Sequence, residues 1–142
     1  MKNMLVAVDG SESGQKAAEK ALELAKILSA KVTVISVSAP PIAPIRWKGA
    51  TYYYDELLEM QRKQSQEIAD EYKGFFEKEN LEASTIVKQG DPAEEIIEVA
   101  NSDDYYMLVV GSRGLTGIKR AVIGSVANYV IQGSKVPVLV VT

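Results

Sequence analysis

Apolar and polar positions along the chain switch repeatedly between two periods. Met4 to Val8 is a short aliphatic run, closed by Asp9-Gly10-Ser11 as a turn. Ala17, Ala18, Ala21, Leu22, Ala25 and Leu28 then recur at three- and four-residue spacing, with Lys16, Glu19, Lys20, Glu23 and Lys26 between them. That is an amphipathic helix whose alanine face suits close packing on a sheet. Lys31 to Val37 predicts a second strand. Ser38 to Tyr54 carries Pro40, Pro41, Pro44 and Gly49 and predicts a long loop, a length that marks function or mobility. Asp55 is placed to cap a helix running to about Glu79, with Leu58, Ile68, Tyr72 and Phe75 as its buried stripe.

Ala83 to Lys88 predicts the third strand. Asp91 as N-cap, Pro92 at the first helical position and Glu94 three residues on mark a helix start, with Ile96, Ile97 and Ala100 facing inward. Tyr105 to Val110 predicts a nearly unbroken apolar fourth strand, Ser125 to Gln132 a last helix, and Val136 to Val141 a fifth strand. Continuous apolar strands alternating with helices predict an α/β fold with a parallel sheet covered on both faces. No repeat, low-complexity tract or linker interrupts residues 1–142, so one domain is expected.

Composition narrows the chemistry. The chain contains no Cys and no His, which excludes a thiolate nucleophile, an imidazole base, a Ser-His triad, the usual zinc sites and any disulfide scaffold. Its net charge of −3, with lysines interleaved among glutamates, argues against a nucleic-acid partner. The N-terminal apolar run is too short for a signal peptide and ends in a carboxylate, and no stretch approaches a membrane span. A cytoplasmic location without membrane contact is the expectation.

Residues 111 to 125 read G-S-R-G-L-T-G-I-K-R-A-V-I-G-S, directly after a strand and directly before a helix. In open parallel sheets ligands bind beyond the carboxyl ends of the strands, and a helix start presents unpaired N–H groups that attract phosphate. Ser125 adds a hydroxyl that can donate to a phosphate oxygen, or can cap the helix. The loop is neither a Walker loop nor a dinucleotide fingerprint. A purely structural turn, with glycines serving only its geometry, remains open on placement alone.

The spacing Gly111-x2-Gly114-x9-Gly124-Ser125 resembles the ATP-binding signature of the universal stress protein family. The likeness extends over nearly the whole chain: Val8-Asp9-Gly10-Ser11, Gly90-Asp91-Pro92 and the final apolar strand all match. The resemblance implies an open five-stranded sheet of order 3-2-1-4-5, similar to half a Rossmann fold and to adenine nucleotide alpha hydrolases. It implies an ATP or AMP ligand whose adenine meets the backbone at Val37. Asp9 would stand by the ribose and phosphates, with Ala7 and Val8 beside it. Val110, Gly111 and Gly114 would bracket the ribose and phosphates, and Gly124, Ser125 and Val126 would close on the phosphates. It also implies a homodimer through Pro137 to Thr142.

Asp9 would repel phosphates directly, so it is expected on ribose hydroxyls or on a Mg²⁺ bridging to phosphate, or as the cap of the first helix. Arg113, Lys119 and Arg120 can neutralise a β- or γ-phosphate, or can be solvated loop charges. Thr116 is a further candidate donor. Trp47, Tyr52, Tyr53 and Tyr54 suit a lid over adenine, a partner surface, or simple packing of their own loop. Asp103-Asp104 reads as a surface turn rather than a metal pair. The expected function is a nucleotide-binding sensor or signalling domain. The alternatives are a slow ATPase or phosphotransfer enzyme, for which no dedicated base is apparent, and an interaction module without nucleotide.

Overall fold

The computed structural model describes residues 1–40, 50–113 and 123–142, and of residues 50–52 the backbone alone. In order these form β1 (Asn3–Ala7), α1 (Glu12–Leu28), β2 (Lys31–Ser38), α2 (Ala50–Glu77), β3 (Ala83–Gln89), α3 (Pro92–Ser102), β4 (Met107–Gly111), α4 (Ser125–Gly133) and β5 (Val138–Val141). The strands make one parallel sheet of order β3-β2-β1-β4-β5. Val6 in β1 lies opposite Val34 of β2 and Val109 of β4, so the three central strands are in step.

Side-chain alternation divides the interior into two layers. Met4, Val6, Val8, Val32, Val34 and Val109 pack beneath α1 and α2, against Ala17, Ala18, Ala21, Ala25, Ala69 and Phe76. Leu5, Ile35, Leu108 and Val110 point the other way, onto Ala93, Ile96, Val99 and Ala100 of α3 and Ala127 and Val130 of α4. Central strands buried on both faces need the continuous apolar runs that the sequence carries. The four alanines of α1 are all fully buried, and their small size lets that helix lie close on β1 and β4.

Element ends depart from expectation where local chemistry is permissive. Helix α2 begins at Ala50, not at Asp55, and β2 runs on through Ser38. Ala50 to Tyr54 contains no Gly or Pro, and extending an existing helix through Thr and Tyr costs only tenths of a kcal/mol per residue, about 0.5 each. Asp55 is therefore an exposed residue inside the helix rather than its cap. The rest of the expected loop, residues 41–49, lies outside the described residues. Strand β5 starts at Val138 because Pro137 has no N–H for the ladder, although its carbonyl still accepts from Leu108 N–H at 2.9 Å. Strand β4 covers Met107 to Gly111; Tyr105 is buried just before it, and Tyr106 lies exposed with the Lys2 ammonium 5.3 Å above its ring.

The stripe of α2 also differs in part. Among the described residues its buried side chains are Ser65, Ala69 and Phe76, flanked by half-buried Leu58, Ile68, Tyr72 and Phe75. Phe75 and Phe76 meet edge to face with centroids 5.2 Å apart, and the neighbour rather than the expected Phe75 takes the deepest place. Phe76→Ala empties that place, and the expected loss is about 3–5 kcal/mol of unfolding free energy, read from urea midpoints at unchanged m-value.

Candidate functional site

The carboxyl ends of β1, β2 and β4 open into a single cleft, at the point where strand order reverses between β1 and its two neighbours. Its first wall is the turn after β1. Gly10, at φ +84°, bends the chain so that Asp9 Oδ1 accepts from both the N–H (3.0 Å) and the hydroxyl of Ser11. Ser11 Oγ in turn accepts from Gly14 N–H at 3.1 Å and is the N-cap of α1. Asp9 is thus not the cap itself. It orients the residue that is. Burial, followed by the nearby carboxylates Glu71, Glu19 and Asp9, holds the Tyr72 hydroxyl above the usual tyrosine range.

The second wall is where β4 ends. A Cβ on Gly111 would stand 2.6 Å from the Ser13 carbonyl oxygen, so only glycine lets the first turn of α1 lie against this strand. The chain beyond is tied down by Ser112 N–H to Val141 O (2.9 Å) and by Arg113 N–H to Ser13 Oγ (3.0 Å). Gly124 returns to the same place, donating its N–H to Ser112 O at 2.6 Å. Gly124 is the N-cap of α4 and no side chain bonds its first turn, whereas α1 and α3 are capped by Ser11 and Asp91. Ser125 is therefore not the cap. It lies inside the first turn and lines the cleft.

The cleft encloses about 550 Å³. Ala7, Val8, Asp9, Val37, Val110, Gly111, Arg113, Gly124, Ser125 and Val126 all line it, so ten of the eleven residues singled out in the sequence border the same cleft. The eleventh, Gly114, lies outside the described residues, as do Thr116, Lys119, Arg120, Trp47 and the side chain of Tyr52. Tyr53 is exposed, Tyr54 is half-buried, and neither lines the cleft. Asp103 and Asp104 are an exposed turn in which Asp103 Oδ1 accepts from Asp104 N–H. Among the described residues no group of three acidic side chains could hold a metal ion, and no helix is long and apolar enough to cross a membrane.

The arrangement is polar at one end and mixed at the other. Uncapped N–H groups of α4, the Ser125 hydroxyl and the Arg113 guanidinium can meet an anion. Ile35, Ile96 and Ala127 make apolar walls, and α2 contributes Gln61, Gln64, Ser65 and Ile68. Sequence reasoning missed the α2 contribution. A signal was present: Leu58, Gln61, Ser65, Ile68 and Tyr72 follow one 3-4-3-4 spacing, and two polar residues stand in an otherwise apolar stripe.

The model of the universal stress protein family matches residues 1–142. Universal stress protein YxiE of Bacillus subtilis is 34% identical, covering 97% of both chains. Universal stress protein MJ0531 of Methanocaldococcus jannaschii is 33% identical over 99% of this chain and 81% of its own length. Among solved structures, hypothetical protein MJ0577 superposes with a TM-score of 0.86 at 26% identity, over 99% of this chain and 94% of its own. The universal stress protein of Archaeoglobus fulgidus in complex with dAMP matches at a TM-score of 0.63 and 20% identity, over 100% and 98% of the two chains. A universal stress protein in complex with cAMP matches equally well, at 22% identity over 99% and 97%. These last two share the fold.

Gly111→Ala forces α1 and β4 apart at the cleft floor. Chemical denaturation is expected to show a loss of about 1–3 kcal/mol, while alanine at exposed Lys16 changes stability by less than about 0.5 kcal/mol.

Proposed function

The chain belongs to the universal stress protein family, and on that footing we propose that it binds an adenine nucleotide, ATP or AMP, in this cleft and acts as a sensor or signalling domain. The observation that carries the reading is the convergence of Gly111 and Gly124-Ser125 on one end of the cleft, facing Asp9 across the β1–β4 switch point. The phosphates sit on the N–H groups of α4, the Ser125 hydroxyl and Arg113. Asp9 accepts from ribose hydroxyls, and the backbone at Val37 meets the base. Ala7, Val8, Val110 and Val126 provide apolar contact. The dAMP and cAMP complexes of two proteins of this fold are in keeping with a mononucleotide of this kind.

Asp9 is the only carboxylate among the described residues lining the cleft. One carboxylate with phosphate oxygens and waters suits Mg²⁺, which would then arrive with the nucleotide. A ligand at 100 times its Kd stabilises the folded state by about 2.7 kcal/mol, enough to couple occupancy to the population of a signalling state.

Dimerisation through Pro137 to Thr142 is part of the same proposal. Strand β5 is the sheet's edge, and all four of its residues are only half-buried in the single chain. An apolar edge strand is a template for pairing with a second copy. The carbonyls of Pro137 and Val141 accept from Leu108 of β4 and from Ser112 just beyond it, so the intervening Val138 and Val140 direct their N–H groups outward.

Two measurements test these statements. Gly124→Val presses a side chain onto the Ser112 carbonyl, which already lies 3.1 Å from where a Cβ would stand. Its ATP Kd by calorimetry is expected to rise at least about tenfold, with the far-UV spectrum of the free protein retained. Unchanged affinity in the folded variant contradicts the assignment. Val140→Pro removes an outward N–H while sparing the β4 ladder, and light scattering is expected to show a folded monomer where the parent chain is a dimer.

A further inference from the structure

Helix α1 has five buried residues, Gly14, Ala17, Ala18, Ala21 and Ala25. Four are alanine, the best helix former, and the fifth is the poorest apart from proline. Gly14 lies inside the first turn, three residues after the Ser11 cap, and its backbone is not in the left-handed region that favours glycine. Backbone geometry therefore does not require glycine here. The space around it does. A Cβ at this position would stand 3.1 Å from Asp9 Oδ1, 3.4 Å from Asp9 N and 3.5 Å from Ser11 Oγ. The last two are ordinary contacts. The first is tighter, so an alanine methyl would press on the Asp9 carboxylate.

That carboxylate is seated by a short chain of bonds. Gly14 N–H donates to Ser11 Oγ at 3.1 Å, and the Ser11 hydroxyl and N–H both donate to Asp9 Oδ1. Among the described residues every side-chain hydrogen bond to Asp9 goes to Oδ1, which leaves Oδ2 able to accept from something else. Asp9 and Gly14 both line the cleft. Hydrogen bonds work over a range of only about 0.5 Å, so moving Oδ1 by a few tenths of an ångström turns the carboxylate and misplaces its other oxygen.

We propose that Gly14 is a positioning residue: by carrying no side chain it leaves the Asp9 carboxylate seated on Ser11, with the second oxygen placed to accept from the ribose hydroxyls. The proposal rests on the nucleotide reading above and adds a residue that acts through Asp9. It also accounts for one glycine in a row of alanines, since local preference is most often broken where function needs the space.

The test compares ATP with 2′,3′-dideoxy-ATP, which carries hydrogen in place of both ribose hydroxyls, by calorimetry at one Mg²⁺ concentration. The parent protein is expected to bind ATP at least about tenfold more tightly. Gly14→Ala should bring the ratio of the two dissociation constants to within about threefold of unity, by weakening ATP and sparing the dideoxy nucleotide. The urea midpoint of the free variant should equal or exceed the parent's, because alanine is the better helix former. A glycine needed only for packing gives the reverse, a lower midpoint with the ratio kept. The ratio decides: a value equal to the parent's in the folded variant overturns the proposal. A parent that binds both nucleotides alike takes Asp9 off the ribose and overturns this inference, while leaving the nucleotide reading intact. A parent that binds neither overturns that reading as well.

Discussion

The close contact between the first turn of α1 and the end of β4 is the constraint on which the site depends. Gly111 has no side chain, so the Ser13 carbonyl can approach it, and Ser13 Oγ then receives the N–H of Arg113. On the other side of the same junction, Asp9 and Ser11 set the start of α1 by capping. Three separate segments are thereby brought to one point with their backbone polar groups committed. With a wider junction, the ends of β1 and β4 would not form the floor of a single cleft.

The sheet makes that junction possible. Its two apolar layers hold β1 between β2 and β4 with every central side chain buried, so the strand ends cannot slip relative to one another without exposing a whole face. Rigid strands deliver the turn residues to fixed positions, and the glycines at their ends allow close approach. The helices divide the work. α1 lies close on β1 and β4 through its alanines, α4 opens its N-terminal turn, free of any side-chain cap, onto the cleft, and α2 borders the far end with a stripe that turns from apolar to polar at Gln61 and Ser65.

This division bears on the proposed binding role. On the proposed reading, backbone N–H groups and Arg113 at one end would meet the ligand's charge, and aliphatic walls would set its shape, with polar side chains from two different elements at the far end. None of these features requires histidine or cysteine, and the chain has neither.

The linear pattern alone determined the alternation of strands and helices, the Asp91-Pro92 helix start and the burial of the central strands. Each follows from local chemistry: period, capping and the lack of a proline N–H act within a few residues. Family likeness added the strand order and nine residues that now line the cleft, and the charge of the glycine loop added Arg113. Tertiary structure decided the rest. It made Ser11 rather than Asp9 the cap of α1, because the turn at Gly10 sets which oxygen reaches the helix. It chose Phe76 over Phe75, since two adjacent aromatics on a helix face different ways and only the packed sheet selects one. It also brought Gln61 of α2 and Ser38 of β2, twenty-three residues apart in sequence, to the border of one cleft. That placement depends on how α2 crosses β2, a long-range packing geometry that periodicity within either segment does not contain.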